Sequence, residues 1–207
     1  MMQKNVPEVV ARRLPRYYRY LGELLEKNVL QISSSALSRK MNVTASQIRQ
    51  DLNCFGGFGH QGYGYDVKEL HSFIGEILGL GNHYRMIIIG AGNVGRAVAN
   101  YPGFMRRGFV IEAIFDIKPE LFGTEINGIP VFDSADLAKY CHDHHPHIAA
   151  IATPKTAAPD IARVLEESGI KGIWNFSHVD FECSVPVESV HMSDSLMTLS
   201  YRITQED

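Results

Sequence analysis

The chain has 207 residues, 45% of them apolar, and a net charge of −3. That length allows one large or two small domains, and the apolar fraction excludes wholesale disorder. No apolar run approaches the roughly 20 residues that span a bilayer and no signal-peptide h-region opens the chain, so a cytoplasmic protein with no membrane partner is expected.

Cys54, Cys141 and Cys183 are scattered with no CxxC spacing, which fits a reducing compartment. The charge is unevenly divided. Residues 1–60 hold nine Lys+Arg against four Asp+Glu, a net of +5; residues 61–207 hold eleven against nineteen, a net of −8. A basic head on an acidic body points the head toward a polyanion.

In the head, Val10, Leu14, Tyr17, Leu21 and Leu24 recur at helical spacing, decorated by Arg12, Arg13, Arg16 and Arg19. Pro15 forces a kink there or a restart. "SSSALSRKM" offers serine caps and a short helix. Thr44 and Gln47 have capping-box spacing and open a second helix. Ile48, Leu52 and Phe55 line one face of it; Ser46, Arg49, Gln50 and Asn53 line the other. Two short helices joined by a tight turn, the second polar outward, read as a helix-turn-helix. An Arg fork suits guanine and a Gln amide suits adenine, so Ser46, Gln47, Arg49, Gln50 and Asn53 are the expected DNA contacts of this helix. "GGFGHQGYGYDV", residues 56–67, alternates glycine with aromatics and reads as a hairpin, the wing of a winged helix. A linking helix is expected over 68–80, with a domain boundary at "GLGNHY".

The body begins with an apolar strand over 86–89 that runs into Gly90-Ala91-Gly92-Asn93-Val94-Gly95 and then a helix. This is GxGxxG in its Rossmann context. Gly90 would make the turn, Gly92 would admit the pyrophosphate and Gly95 would allow helix–strand packing. "FVIEAIFD" supplies a second strand ending in Asp116, 21 residues after Gly95, where a ribose-binding acid belongs. Asp116 would repel a 2′-phosphate and favours NAD over NADP; Lys118 weakens that preference. Strands at "GIPVF", "HIAAIAT" and "GIWNF" alternate with helices at "SADLAKYCHDHH" and "AAPDIARVLEESGI", so a doubly wound parallel sheet is expected. Its ligand would meet the glycine turn, Asp116, Thr153-Pro154 and Asn175-Phe176.

"CHDHHPH", residues 141–147, lacks a second spaced ligand pair and reads as a polar loop rather than a metal site. No catalytic apparatus stands out: His178, past the last strand, has no obvious orienting partner. A non-enzyme is therefore expected. In the tail, Met192, Leu196, Leu199 and Ile203 form a heptad-like seam on a helix too short to persist alone. A partner chain is the favoured packing surface.

In combination, "RRLPRYYRYLGEL", "SSSALSRKMNVTASQIRQDLNCFGGFGHQGYGYDV", "IIIGAGNVGRAVANYPGF", "FDIKPELFG", "IKGIWNF" and the final helix resemble the redox-sensing transcriptional repressor Rex family over essentially the whole length. "IRQDL" and "YPGF" carry most weight, because neither is generic to its fold. The resemblance implies an α/β chain: a winged helix-turn-helix DNA-binding domain over 1–80, a Rossmann NAD(H)-binding domain over 81–190, and a domain-swapped helix over 191–207.

It also implies a homodimer that binds palindromic operator DNA, represses genes of anaerobic or fermentative metabolism, and is released by NADH rather than NAD+. Tyr101, with Phe104, would lie near the nicotinamide, and Arg19 would reach toward the hinge region. Some members carry Lys where Gln50 stands and a wing-tip Arg where Gln61 stands beside His60. Operator contacts would then lean on Arg49, Arg12, Arg16 and Lys40. Where some members place a switching Asp in the closing helix, this chain has His191, with Asp194 about a turn on. Two alternatives stand beside this reading: an NAD(P)-dependent oxidoreductase with an extra N-terminal module, and a CoA-binding or ligase-type subunit.

Overall fold

Pro15 decides how the first unit begins. The computed structural model describes residues 6–55, 59–60 and 64–205. Helix α1, Glu8–Ala11, stops after one turn, and α2, Leu14–Glu26, restarts with Pro15 in its first turn, where a missing N–H costs nothing. A two-residue strand β1, Gln31–Ile32, follows. Helix α3, Ser34–Met41, is capped by the Ser33 hydroxyl, which accepts from the Ala36 amide; Asn42, left-handed at φ 52°, closes it. Helix α4, Ala45–Asn53, is capped by Thr44, which accepts from the Gln47 amide at 3.1 Å.

The reciprocal half of the expected capping box is not made. The Gln47 side chain donates instead to Asp51, at 2.8 Å. Strands β2, Gly59–His60, and β3, Gly64–Asp66, pair antiparallel, and β1 joins the other side of β3. Strand β1 is too short to announce itself by alternation. Helix α5, Val67–Ile77, is capped by Asp66 and ends sooner than 80, because Gly79 turns left-handed at φ 69°. The core of this unit is built on Leu14, Leu21, Leu37, Ile48, Leu70 and Ile74, all essentially sealed from solvent. Burial of each contributes about 1.5–3 kcal/mol.

The second unit starts at His83. Its elements in order are β4 (Tyr84–Ile89), α6 (Asn93–Ala99), β5 (Phe109–Asp116), β6 (Glu125–Ile126), β7 (Ile129–Asp133), α7 (Leu137–His144), β8 (Ile148–Ile151), α8 (Ala158–Glu167), β9 (Gly172–Asn175), β10 (Val187–Ser189) and α9 (Met192–Ile203). The sheet order is β10-β9-β8-β4-β5-β7-β6, parallel except for the β6–β7 hairpin. Strand β4 is followed in the chain by β5 on one side and later by β8 on the other. The crevice of a doubly wound sheet therefore opens above the C-terminal end of β4. Alternation along β4 packs Ile87 and Ile89 under α7 and α8, and Ile88 under α6.

Three features differ from expectation. Strands β6 and β10 were not anticipated; yet Asn127-Gly128, both left-handed at φ 55° and 75°, is a two-residue hairpin turn with a legible signal. Residues 141–144, read both as the end of a helix and as part of a polar loop, are helix: α7 continues to His144, Cys141 is buried in the core, and His145 at φ 49° ends it. His147 accepts from the Arg85 amide and the Arg85 guanidinium donates to the His145 carbonyl, so this corner ties strand to helix. No group of three or more metal-ligating side chains occurs among the described residues. Nor, among these, is any helix long and apolar enough to cross a membrane.

Candidate nucleotide cradle and nucleic-acid face

The three glycines of the turn are held to glycine for different reasons. Gly90 has φ 102°, and a side chain there would press on the Ala152 backbone. A side chain on Gly95 would collide with the Gly90 carbonyl, so α6 sits against the turn only because Gly95 has none. Gly92 is different. Its φ of −72° suits any residue, and a Cβ there would meet nothing within 4 Å. Among the described residues no contact requires glycine at 92, and the space above it is open.

The turn is braced from both sides. Asp116, at the end of β5 and 9% exposed, accepts from the Ala91 amide at 2.6 Å and from the Lys118 amide at 3.0 Å. Both carboxylate oxygens thus serve the protein as well as any ribose. From the helix side, the Arg96 guanidinium donates to the Ala91 carbonyl at 2.9 Å, a brace the sequence reading missed. Asn93 is exposed and Val94 packs toward the sheet. Just past the end of β8, the Thr153 hydroxyl is buried with no hydrogen-bond partner among the described residues, an orphan beside the turn. Pro154 and Lys118 are exposed.

The Asn175 side chain, expected at the ligand, is engaged within the chain. It is 1% exposed, donates to the Val179 carbonyl and the Ser189 hydroxyl, and accepts from the Ser177 amide and hydroxyl. The amide is consumed in pinning the β9 and β10 ends together. Past α6, an aromatic row runs Tyr101–Phe104–Trp174–Phe176, with ring centroids 4.7, 5.5 and 4.5 Å apart. Tyr101 is half exposed and folds over Gly103, which has no room for a side chain beneath the ring. Trp174 was not singled out from sequence, because one tryptophan inside a strand reads as core.

In the tail, Met192, Leu196, Leu199, Tyr201 and Ile203 of α9 are all more than half exposed. His191 caps the entry to α9 with its Nε2 3.5 Å from an Asp180 oxygen, and its ring 6.1 Å from His178. Asp194 lies exposed in the first turn of α9.

In the first unit, Ser46, Arg49, Gln50 and Asn53 are exposed along one face of α4, as expected. Arg49 donates to the Ser34 hydroxyl at 3.2 Å. Gln47 does not share that freedom, since its amide nitrogen is committed to Asp51. Lys40 and, unanticipated, Arg39 are exposed at the end of α3. Arg12 is exposed and pairs with Glu8, while Arg16 and Arg19 both approach the Tyr20 ring, at 5.9 and 5.5 Å. Gln61 lies outside the described residues, as does the His60 side chain.

Residues 82–179 match the family described as CoA binding domain, and residues 5–53 the family described as Putative DNA-binding protein N-terminus. Over 207 residues the chain is 49% identical to a redox-sensing transcriptional repressor Rex from Clostridium perfringens, covering 99% of this chain and 98% of that one. It is 50% identical to a Rex repressor from Clostridium botulinum, covering 99% of each. Among solved structures, RSP in complex with beta-NAD+ and operator DNA matches with TM-score 0.90 at 51% identity, covering 97% of this chain and 94% of that one. RSP in complex with beta-NADH matches with TM-score 0.91 at 48% identity, covering 98% and 96%. The chain belongs to the Rex family of redox-sensing transcriptional repressors.

Proposed function

We propose that this chain acts in the cytoplasm as a homodimer that grips palindromic operator DNA and lets go when NADH fills the glycine cradle. Membership of a repressor family sets aside the oxidoreductase and CoA-ligase alternatives. The observation that carries the ligand half of the reading is Gly92, whose position at the start of α6 leaves open space where a side chain would stand. The orphaned Thr153 hydroxyl and the aromatic row fit the same ligand. Gly90 through Gly95 would hold the pyrophosphate, Asp116 the adenosine ribose, and Tyr101 and Phe104 the nicotinamide.

The nicotinamide ring is cationic when oxidised and neutral when reduced. Desolvating a cation costs several kcal/mol, about, without a carboxylate partner. A cation–π contact with Tyr101 returns roughly 0.5–2 kcal/mol, so an aromatic pocket closed over by apolar surface favours NADH. The exposed seam of α9 supplies such a surface if it swaps onto the partner chain. Arg19, Tyr101, His191 and Asp194 are proposed to change partners as the ligand arrives.

On the DNA side, Ser46, Arg49, Gln50 and Asn53 would read bases. Arg12, Arg16 and Lys40 would meet phosphates, and His60 and Gln61 the minor groove. Closure around NADH would shift the two reading helices off half-sites about one helical turn apart. Linkage requires that operator DNA weaken NADH binding by the same factor. A mobility shift at fixed salt on a palindromic duplex, with and without NADH, tests this. Release by NADH and not by NAD+ is expected; equal affinity in both overturns it.

A further inference from the structure

Asp51 is a carboxylate with no exposed surface, on the inward side of α4. Arg13 grips it with both arms of its fork, Nε to Oδ2 and Nη2 to Oδ1, each at 2.7 Å. The Tyr17 hydroxyl donates to Oδ2 at 2.8 Å, and the Gln47 amide to Oδ1 at 2.8 Å. Three segments thus converge on one group: the break between α1 and α2, the first turns of α2, and α4 itself.

Stability alone does not account for this arrangement. Well-packed apolar residues in place of a buried ion pair are often equally or more stabilising. Ile48 and Leu52 already anchor α4 to the core, but apolar burial is non-directional. A planar fork on a carboxylate is directional. Successive helix residues are about 100° apart, so pinning Asp51 inward sets where its neighbours Gln50 and Arg49 point. Burial alone would raise the Asp51 carboxyl; the bonds from Arg13, Gln47 and Tyr17 outweigh it and hold it below the usual carboxylate range, so the fork meets a charged partner.

We propose that the Asp51–Arg13–Tyr17–Gln47 network is a positioning device that fixes the rotation of α4, and so the sequence discrimination of the face carrying Ser46, Arg49, Gln50 and Asn53. This rests on the repressor reading. Non-specific affinity depends on how many phosphates are neutralised, whereas discrimination depends on where side chains meet base edges. Loosened rotation therefore harms the second and spares the first.

The test uses the full chain and a duplex enriched from a random library by the wild-type protein, against the same duplex with scrambled half-sites. Arg13→Lys keeps the charge and removes the fork. In fully folded protein, as judged by circular dichroism and melting, operator affinity is expected to fall roughly tenfold or more. Affinity for the scrambled duplex and for NADH is expected to stay within about twofold, with an unchanged salt slope. Tyr17→Phe removes one bond and is expected to give a smaller loss of the same kind, roughly two- to tenfold; it carries the test if Arg13→Lys does not fold. Folded variants that discriminate as the wild type does overturn the positioning role. So does a loss that falls equally on both duplexes. A wild-type chain with no operator preference overturns the repressor reading and the network's role together.

Discussion

Gly92 and Gly95 are three residues apart, and substituting them should have very unequal consequences. At Gly92 the backbone is already in a region open to L-residues and the added Cβ touches nothing. Gly92→Ala should therefore leave the ligand-free protein within about 1 kcal/mol of the wild type, because the freedom lost by the unfolded chain is set against the poorer capping of α6 by alanine. At Gly95 the Cβ meets a backbone carbonyl that cannot move without unseating the turn. Gly95→Ala should cost about 1–3 kcal/mol or more. The ligand makes 92 sensitive as well. NADH at a hundred times its Kd should stabilise the wild type by about 2.7 kcal/mol. Gly92→Val fills the space reserved for it and should lose that increment entirely, with operator binding retained. Urea unfolding with and without NADH, beside an NADH fluorescence titration, reads all of these. A Gly92→Val protein that keeps the NADH increment would refute the assignment of the open space to the dinucleotide.

Other expectations follow from single groups. Asp51 titrates below its ordinary value of 3.8 in the folded chain, so its contribution is complete above about pH 4 and is lost as pH falls through the lower folded value. Asp51→Asn should flatten acid unfolding of the first unit while lowering stability near neutrality; an unchanged acid limb would refute the network's charge state. Burial, with Glu112 nearby, pushes the Cys141 thiol up to about 11, whereas Cys54 is exposed. A thiol reagent at pH 8 should modify Cys54 first and leave Cys141 intact until unfolding; early loss of Cys141 in mass spectra would contradict its place in the core. Leu199→Glu places a charge on the seam of α9, which is exposed in the single chain. It should yield a folded monomer by sedimentation, and a persistent dimer would show that α9 is not the contact.

Legibility from sequence followed the physics of each signal. The glycine turn, its flanking strand and Asp116 were readable because phosphate cradles demand fixed spacing. The helix-turn-helix was readable from caps at Ser33 and Thr44 and from apolar periodicity. Strands β1 and β10, two and three residues long, carry no period to detect. The Asp51 network was invisible because Arg13 and Asp51 lie 38 residues apart, and an Asp in a helix reads as solvated face. The engagement of the Asn175 side chain was hidden for another reason. Its position at a strand end is where ligand contacts occur, but only the surrounding loops, through Val179, Ser177 and Ser189, reveal that its amide is engaged.

The latch on the glycine turn bears on where signalling energy comes from. With Asp116 holding the Ala91 amide and Arg96 the Ala91 carbonyl, the cradle is shaped before any guest arrives. A preorganised seat extracts little ordering entropy from its occupant. On the proposed reading, the phosphate end would act as an anchor common to both redox forms and would leave discrimination to the far ring. Wherever the two guests together exceed both affinities, a sensor arranged this way would answer to their ratio rather than to how much of either is present.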